Sequence, residues 1–91
     1  MDIPVQHNSR QNRFEMEIDG ATAYLEYLDQ GQRLVLTHTF VPPPLRGKGL
    51  AGKLTRAALD FAREKGKTVD PQCSYVAAFM EQHPEYAGLR Q

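Results

Sequence analysis

A second cysteine is missing from this chain, so Cys73 stands alone. A lone thiol excludes an intrachain disulfide framework and suits a reducing compartment, so a cytoplasmic location is expected. Histidine is nearly as sparse, with His7, His38 and His83 far apart in the sequence. These residues do not have the ligand count or spacing of a zinc site, and no metal is expected. Neither sign of charge is in excess, because eleven basic residues balance eleven acidic ones. That balance gives no footing for nucleic acid or a membrane surface, and any basic patch has to be local. No apolar run is long enough to span a bilayer, and the first residues do not read as a signal peptide. Ninety-one residues leave room for one core, so residues 1–91 read as one domain. A domain of this size buries only about 60–65% of its unfolded surface, and modest stability follows. At 41% hydrophobic and 24% charged, the composition is that of a globular chain rather than a disordered one.

Residues 1–12 are polar and read as partly irregular, with room for one short strand around Val5. From Arg13 to Ile18, charged and apolar residues alternate with period two, the mark of a half-buried strand. Asp19-Gly20 is a hairpin-turn dipeptide, and Ala21 to Leu28 supplies the second strand. After a turn at Asp29-Gln30-Gly31-Gln32, the stretch from Arg33 to Val41 is β-rich. Its alternation predicts Leu34, Leu36, His38 and Phe40 on one face and Val35, Thr37, Thr39 and Val41 on the other. Pro42-Pro43-Pro44 ends this strand, since proline donates no ladder hydrogen bond. Leu50, Leu54, Ala57, Ala58, Phe61 and Ala62 then recur at helical spacing, and Lys65-Gly66 closes the helix. A short strand is expected over Lys67–Asp70, broken by Pro71. Ser74 is expected to cap a second helix that turns Tyr75, Val76, Phe79 and Met80 inward. His83-Pro84 ends that helix, and a short tail leaves Tyr86 and Leu89 available for docking. The order β-β-β-α-β-α describes an α+β fold, two helices laid on a mostly antiparallel sheet.

The stretch from Leu45 to Gly52 places three glycines and two cations, Arg46 and Lys48, between strand and helix. Glycines there leave backbone N–H groups uncovered, and the helix start adds partial positive charge, so an anion is the natural guest. The spacing is not that of a nucleotide-hydrolase phosphate loop, which is longer and ends in Lys-Ser/Thr. Nor does it match the dinucleotide fingerprint without a shift of register. It matches Arg/Gln-x-x-Gly-x-Gly/Ala at Arg46-Gly47-Lys48-Gly49-Leu50-Ala51.

This motif resembles the coenzyme A pyrophosphate loop of the GNAT-type N-acetyltransferases. Arg13-Phe14-Glu15, Leu36-Thr37-His38-Thr39-Phe40-Val41-Pro42, Pro71-Gln72-Cys73-Ser74-Tyr75 and His83-Pro84-Glu85-Tyr86 extend the resemblance to small single-domain members. It runs from about Arg13 to Leu89 and implies a compact, truncated GNAT-like fold that binds acetyl-CoA. The strand before the loop would hold the pantetheine arm through the backbone of Thr39, Phe40 and Val41. The amides of Gly47, Lys48, Gly49, Leu50 and Ala51, with the Arg46 side chain, would hold the pyrophosphate. The two N-terminal helices and two C-terminal strands of a full GNAT domain have no counterpart here, so the acceptor half is almost blank.

Cys73, His38 and Tyr75 are the chemistry candidates. A lone cysteine is usually a small buried hydrophobe, but one beside a helix start has its thiol pKa lowered. The resemblance implies an active-site thiol that either accepts the acetyl group or lines the pocket. His38 reads from the bare sequence as a buried, satisfied histidine. The resemblance makes it a candidate general base or partner of Cys73. For Tyr75 the resemblance implies protonation of the departing thiolate, against the plainer reading of a core aromatic beside Phe79. The expected function is acetyl-CoA-dependent N-acetyl transfer to an amine, direct or through Cys73. The acceptor could be a protein lysine, an N-terminus or a small amine. The alternative is a non-catalytic coenzyme A or acyl-CoA-binding or protein-interaction module. A nucleic-acid binder using Arg46, Lys48, Lys53 and Arg56 is disfavoured by neutral charge and the lack of interleaved aromatics. Oligomeric state and physiological role are not legible.

Overall fold

In the computed structural model, which describes residues 3–90, five strands form one sheet in sequence order. They are β1 (Gln6–Asn8), β2 (Arg13–Ile18), β3 (Ala21–Asp29), β4 (Arg33–Phe40) and β5 (Thr68–Pro71). Helix α1 (Leu50–Glu64) joins β4 to β5, α2 (Ser74–Gln82) follows β5, and a 3-10 turn over Pro84–Leu89 closes the described chain. Neighbours from β1 to β4 are antiparallel, and β4 and β5 are parallel. The expected short N-terminal strand is present, shifted by about a residue from Val5. Met1 and Asp2, also expected to be irregular, lie outside the described residues, as does Gln91.

The β2–β3 hairpin closes as its dipeptide predicts. Asp19 and Gly20 both take positive φ, 52° and 79°, the requirement of a two-residue turn whose twist matches the strands. Phe14, Met16, Ala23, Leu25 and Tyr27 line the inner face, where Leu54, Ala58, Leu59 and Ala62 of α1 pack on them. Ala57 and Phe61 sit at the border of this core, while Leu59 and Thr55 are fully buried, so the helix face is rotated slightly from the expected one. Val76, Phe79 and Met80 of α2 join the core. Tyr75 does not: it is 42% exposed, contrary to expectation. The expected Ser74 cap is also corrected, because Cys73 is the N-cap and Ser74 the first helical residue. Tyr86 does dock; its hydroxyl donates to Asp60 Oδ1 at 2.7 Å and accepts from Arg56 Nη1 at 3.1 Å.

The largest departure lies in β4. Tyr27 faces Leu36 and Glu26 faces His38, so Thr37 is an extra residue without a partner on β3. Its hydroxyl donates to the Glu26 carbonyl at 3.1 Å and holds the bulge. One inserted residue reverses the alternation beyond it. Leu34 and Leu36 are buried, as expected, but His38 and Phe40 are exposed on the outer face. Thr39, opposite buried Leu25, turns to the helix side instead.

His7 is exposed on β1, yet its ring joins an aromatic cluster. Its ring stacks on Phe14 at 4.3 Å, meets Phe61 edge-on at 4.6 Å and bonds the Tyr27 hydroxyl at 2.5 Å. Partial desolvation of the ring against these neighbours holds its imidazole below the ordinary value of 6.5. The folded state therefore binds a proton less readily than the unfolded one. The associated stability is fully present above the unfolded value and is lost as pH falls below it. Melting temperatures at about pH 7.5 and about pH 5.5 should differ more for the wild type than for His7→Gln. An equal difference in the two proteins would count against this account.

Candidate active site

The site grows from β4 and β5, the only parallel strand pair among the described residues. The β4–β5 ladder runs from Arg33↔Thr68 to Leu36↔Pro71 and ends there. One further bond, from the Cys73 amide to the Leu36 carbonyl at 2.9 Å, ties the next turn of chain to β4. Beyond it, Thr37 has no strand partner and His38 to Phe40 are paired with β3 alone. The edge of β4 that would face β5 is thus open over those residues, a slot where an extended amide chain can add as a further strand.

At the end of β4 the proline run forms a 3-10 turn over Pro43–Leu45, anchored by buried Leu45. Gly47 and Gly49 follow with φ of 81° and 75°, conformations that side chains with a Cβ rarely adopt. A Cβ at either position would meet nothing within 4 Å, so the space above the loop is left to a guest. Gly49 is the N-cap of α1, without a capping side chain and with no acidic residue in the first turn. The first helical amide bond runs from Lys53 to the Gly49 carbonyl at 3.2 Å. The amides of Leu50, Ala51 and Gly52 precede it and have no helical carbonyl to bond. They line a pocket of 210 Å³ with Val41, Arg46, Gly47, Gly49 and Tyr75. Arg46 Nε donates to the Val41 carbonyl at 3.0 Å, which brings its charge to the same rim. Lys48 faces the neighbouring groove with Lys53 over Ile18 and Leu50. This chemistry suits a diphosphate: backbone donors, a helix start and a guanidinium, with no carboxylate in the pocket lining.

Cys73 stands at the end of β5, half-buried, with Sγ 3.5 Å from Thr39 Oγ1. Burial pushes its thiol up. The Thr39 hydroxyl and the backbone of Val76, Tyr75 and Thr39 outweigh that, so the thiol titrates below its ordinary value of 9.0. The helix amides favour the thiolate by their direction, without a closed cap hydrogen bond. Tyr75, across the loop pocket, has its hydroxyl 3.5 Å from where a Cβ on Gly52 would lie. Thr39, Phe40, Val41, Cys73 and Tyr75 therefore gather around the opening between the strands. His38 does not join Cys73, because neighbouring residues of a strand point to opposite faces and Thr39 is the one that touches the thiol. The His38 ring lies 6.2 Å from Tyr24 on the outer face. One contributor was missed in the sequence, the Thr39 hydroxyl, hidden because the bulge decides its direction. Gly52, already counted in the glycine-rich stretch, lies inside the first turn of α1. A glycine inside the first turn of a helix costs about 1 kcal/mol against alanine, and that was a readable signal.

Fold and site together define the class as an N-acetyltransferase. Residues 13–89 match the family described as GCN5-related N-acetyl-transferase. Protein NATD1 of Bos taurus is 38% identical over 85 residues, covering 90% of this chain and 75% of its own length. The Homo sapiens protein of that name is 36% identical over the same coverage. In solution, a GCN5-like protein of Staphylococcus aureus superimposes with a TM-score of 0.76 at 24% identity. That match covers 98% of this chain and 88% of the other, and it shows the shared α+β fold. The chain belongs to the GCN5-related N-acetyltransferase family.

The thiol geometry leads to a direct measurement. In Thr39→Val the hydroxyl that favours the thiolate is gone, so the Cys73 pKa should rise, as read from the pH dependence of iodoacetamide alkylation. An unmoved midpoint would show that the Thr39 contact leaves the thiol unaffected.

Proposed function

We propose that this protein transfers the acetyl group of acetyl-CoA to an amine. The observation that carries the reading is the release of Thr37 to Phe40 from β5 beside a glycine-capped helix start. The free β4 edge would take the pantetheine arm as a pseudo-strand through the backbone of Thr39, Phe40 and Val41. Amides from Gly47 to Ala51 would hold the pyrophosphate. Arg46 would leave the Val41 carbonyl to the arm and turn to the phosphates.

The depressed Cys73 thiol favours a covalent route. Cys73 thiolate attacks the thioester carbonyl, a new carbon–sulfur bond forms, and the carbon–sulfur bond to coenzyme A breaks. Tyr75 would supply the proton to the departing sulfur. The amine then attacks the acetylated Cys73, a carbon–nitrogen bond forms, the bond to sulfur breaks to restore the thiolate, and the amine's proton passes through water to the Tyr75 phenolate. The activated nucleophile and the held geometry divide one difficult transfer into two easier ones.

Calorimetry with acetyl-CoA tests the cofactor assignment. Gly49→Val places a β-branched residue at positive φ, at a cost of about 1–3 kcal/mol in stability that circular dichroism melts will register. Its acetyl-CoA affinity should fall by about ten-fold or more, the worth of one or two lost hydrogen bonds. Unchanged affinity in a folded variant would sink the pyrophosphate assignment. For the route, intact-mass analysis after acetyl-CoA alone should find an acetyl group on Cys73. Near-normal transfer by Cys73→Ala would leave direct attack as the mechanism. Tight binding without turnover against any amine would favour the binding-module reading.

A further inference from the structure

Among the described residues, helices cover only one face of the sheet. On the other, Tyr24, Glu26, His38 and Phe40 of β3 and β4 form a continuous patch beside Arg13, Glu15 and Glu17 of β2. Tyr24 lies 5.6 Å from Phe40 and 6.2 Å from His38 by ring centroids. Phe40 is 37% exposed, and Leu28 on the same face is 52% exposed. The patch already receives one cation: the Arg13 guanidinium sits 4.9 Å from the Tyr24 ring centre and is paired with Glu15. Among the described residues, Glu17 and Glu26 have no ion-pair partner, so the face keeps an excess of negative charge.

We propose that this outer face docks a basic polypeptide segment and presents one of its lysines to the opening between β4 and β5. The proposal rests on the transfer reading above and names its acceptor class. The argument begins with the strand itself. Phe40 lies within the stretch of β4 left free of β5 and carries its ring on the outer face, so one residue joins that stretch to the docking patch. Aromatic rings with unpaired carboxylates match an ammonium group by charge and by cation–π attraction. The openness of the face selects between sources of that ammonium. A free small amine on an open sheet would stay largely in water. A lysine carried on a polypeptide is placed by the contacts of its neighbours with Leu28, Tyr24 and Phe40.

The test uses the full chain and a ten-residue peptide of alternating lysine and serine, blocked at both ends. Amide chemical-shift changes on titration should concentrate at Tyr24, Glu26, His38 and Phe40, and binding should weaken with added salt. The double variant Glu26→Gln, Tyr24→Leu should lose about ten-fold in peptide affinity, the combined scale of an exposed ion pair and a cation–π contact. Its acetyl-CoA affinity should match the wild type. Shifts centred elsewhere, or affinity unchanged in the variant, would overturn the proposal. So would spermidine binding as tightly as the peptide, or concentration-dependent shifts at the same residues from a second copy covering the face. Peptide binding at this face without acetyl-CoA binding would support the docking surface and refute the transfer reading, so the two fail separately.

Discussion

Thr37 is the residue on which the site depends. By entering β4 without a partner on β3, it reverses which side chains face the helices from that point on. Thr39 is brought to Cys73, while His38 and Phe40 are sent to the opposite face. A regular strand would have buried an imidazole in the apolar core and pointed the Thr39 hydroxyl at solvent. The bulge therefore avoids an expensive buried polar group and creates a hydroxyl–thiol contact in one step.

The second organising constraint is that β4 and β5 are the only parallel pair among the described residues. Parallel strands joined through a helix end at the same edge of the sheet, and each here is followed by a helix N-terminus. One of these is capped by Gly49 and the other by Cys73. Two sets of unbonded amides are thereby brought to one opening, one suited to a diphosphate and one to a thiolate. Ligands of open α/β sheets gather at the carboxyl ends of parallel strands for the same reason. Anchors elsewhere, such as Tyr86 between Asp60 and Arg56, tie the end of the chain to α1 and leave the opening unobstructed.

Much of this was legible from residue order. Period-two alternation located β2 and β3, Asp19-Gly20 their turn, and helical spacing the inner face of α1. The Arg46–Ala51 register pointed to the family, because glycines needed for positive φ cannot be exchanged freely for other residues. Ser74 and Tyr75 were misjudged for a common reason: helix boundaries uncertain by one residue decide both which residue caps and which faces inward.

By itself, then, the sequence determined the strands and helices, the glycine loop and the family, since these follow from local periodicity and from backbone conformations that only certain residues adopt. Tertiary structure decided the partners: that Thr39 and not His38 meets Cys73, that His7 enters an aromatic cluster, and that one sheet face stays bare. Each of those depends on a register between strands distant in the chain, and a single extra residue at Thr37 was enough to reverse it.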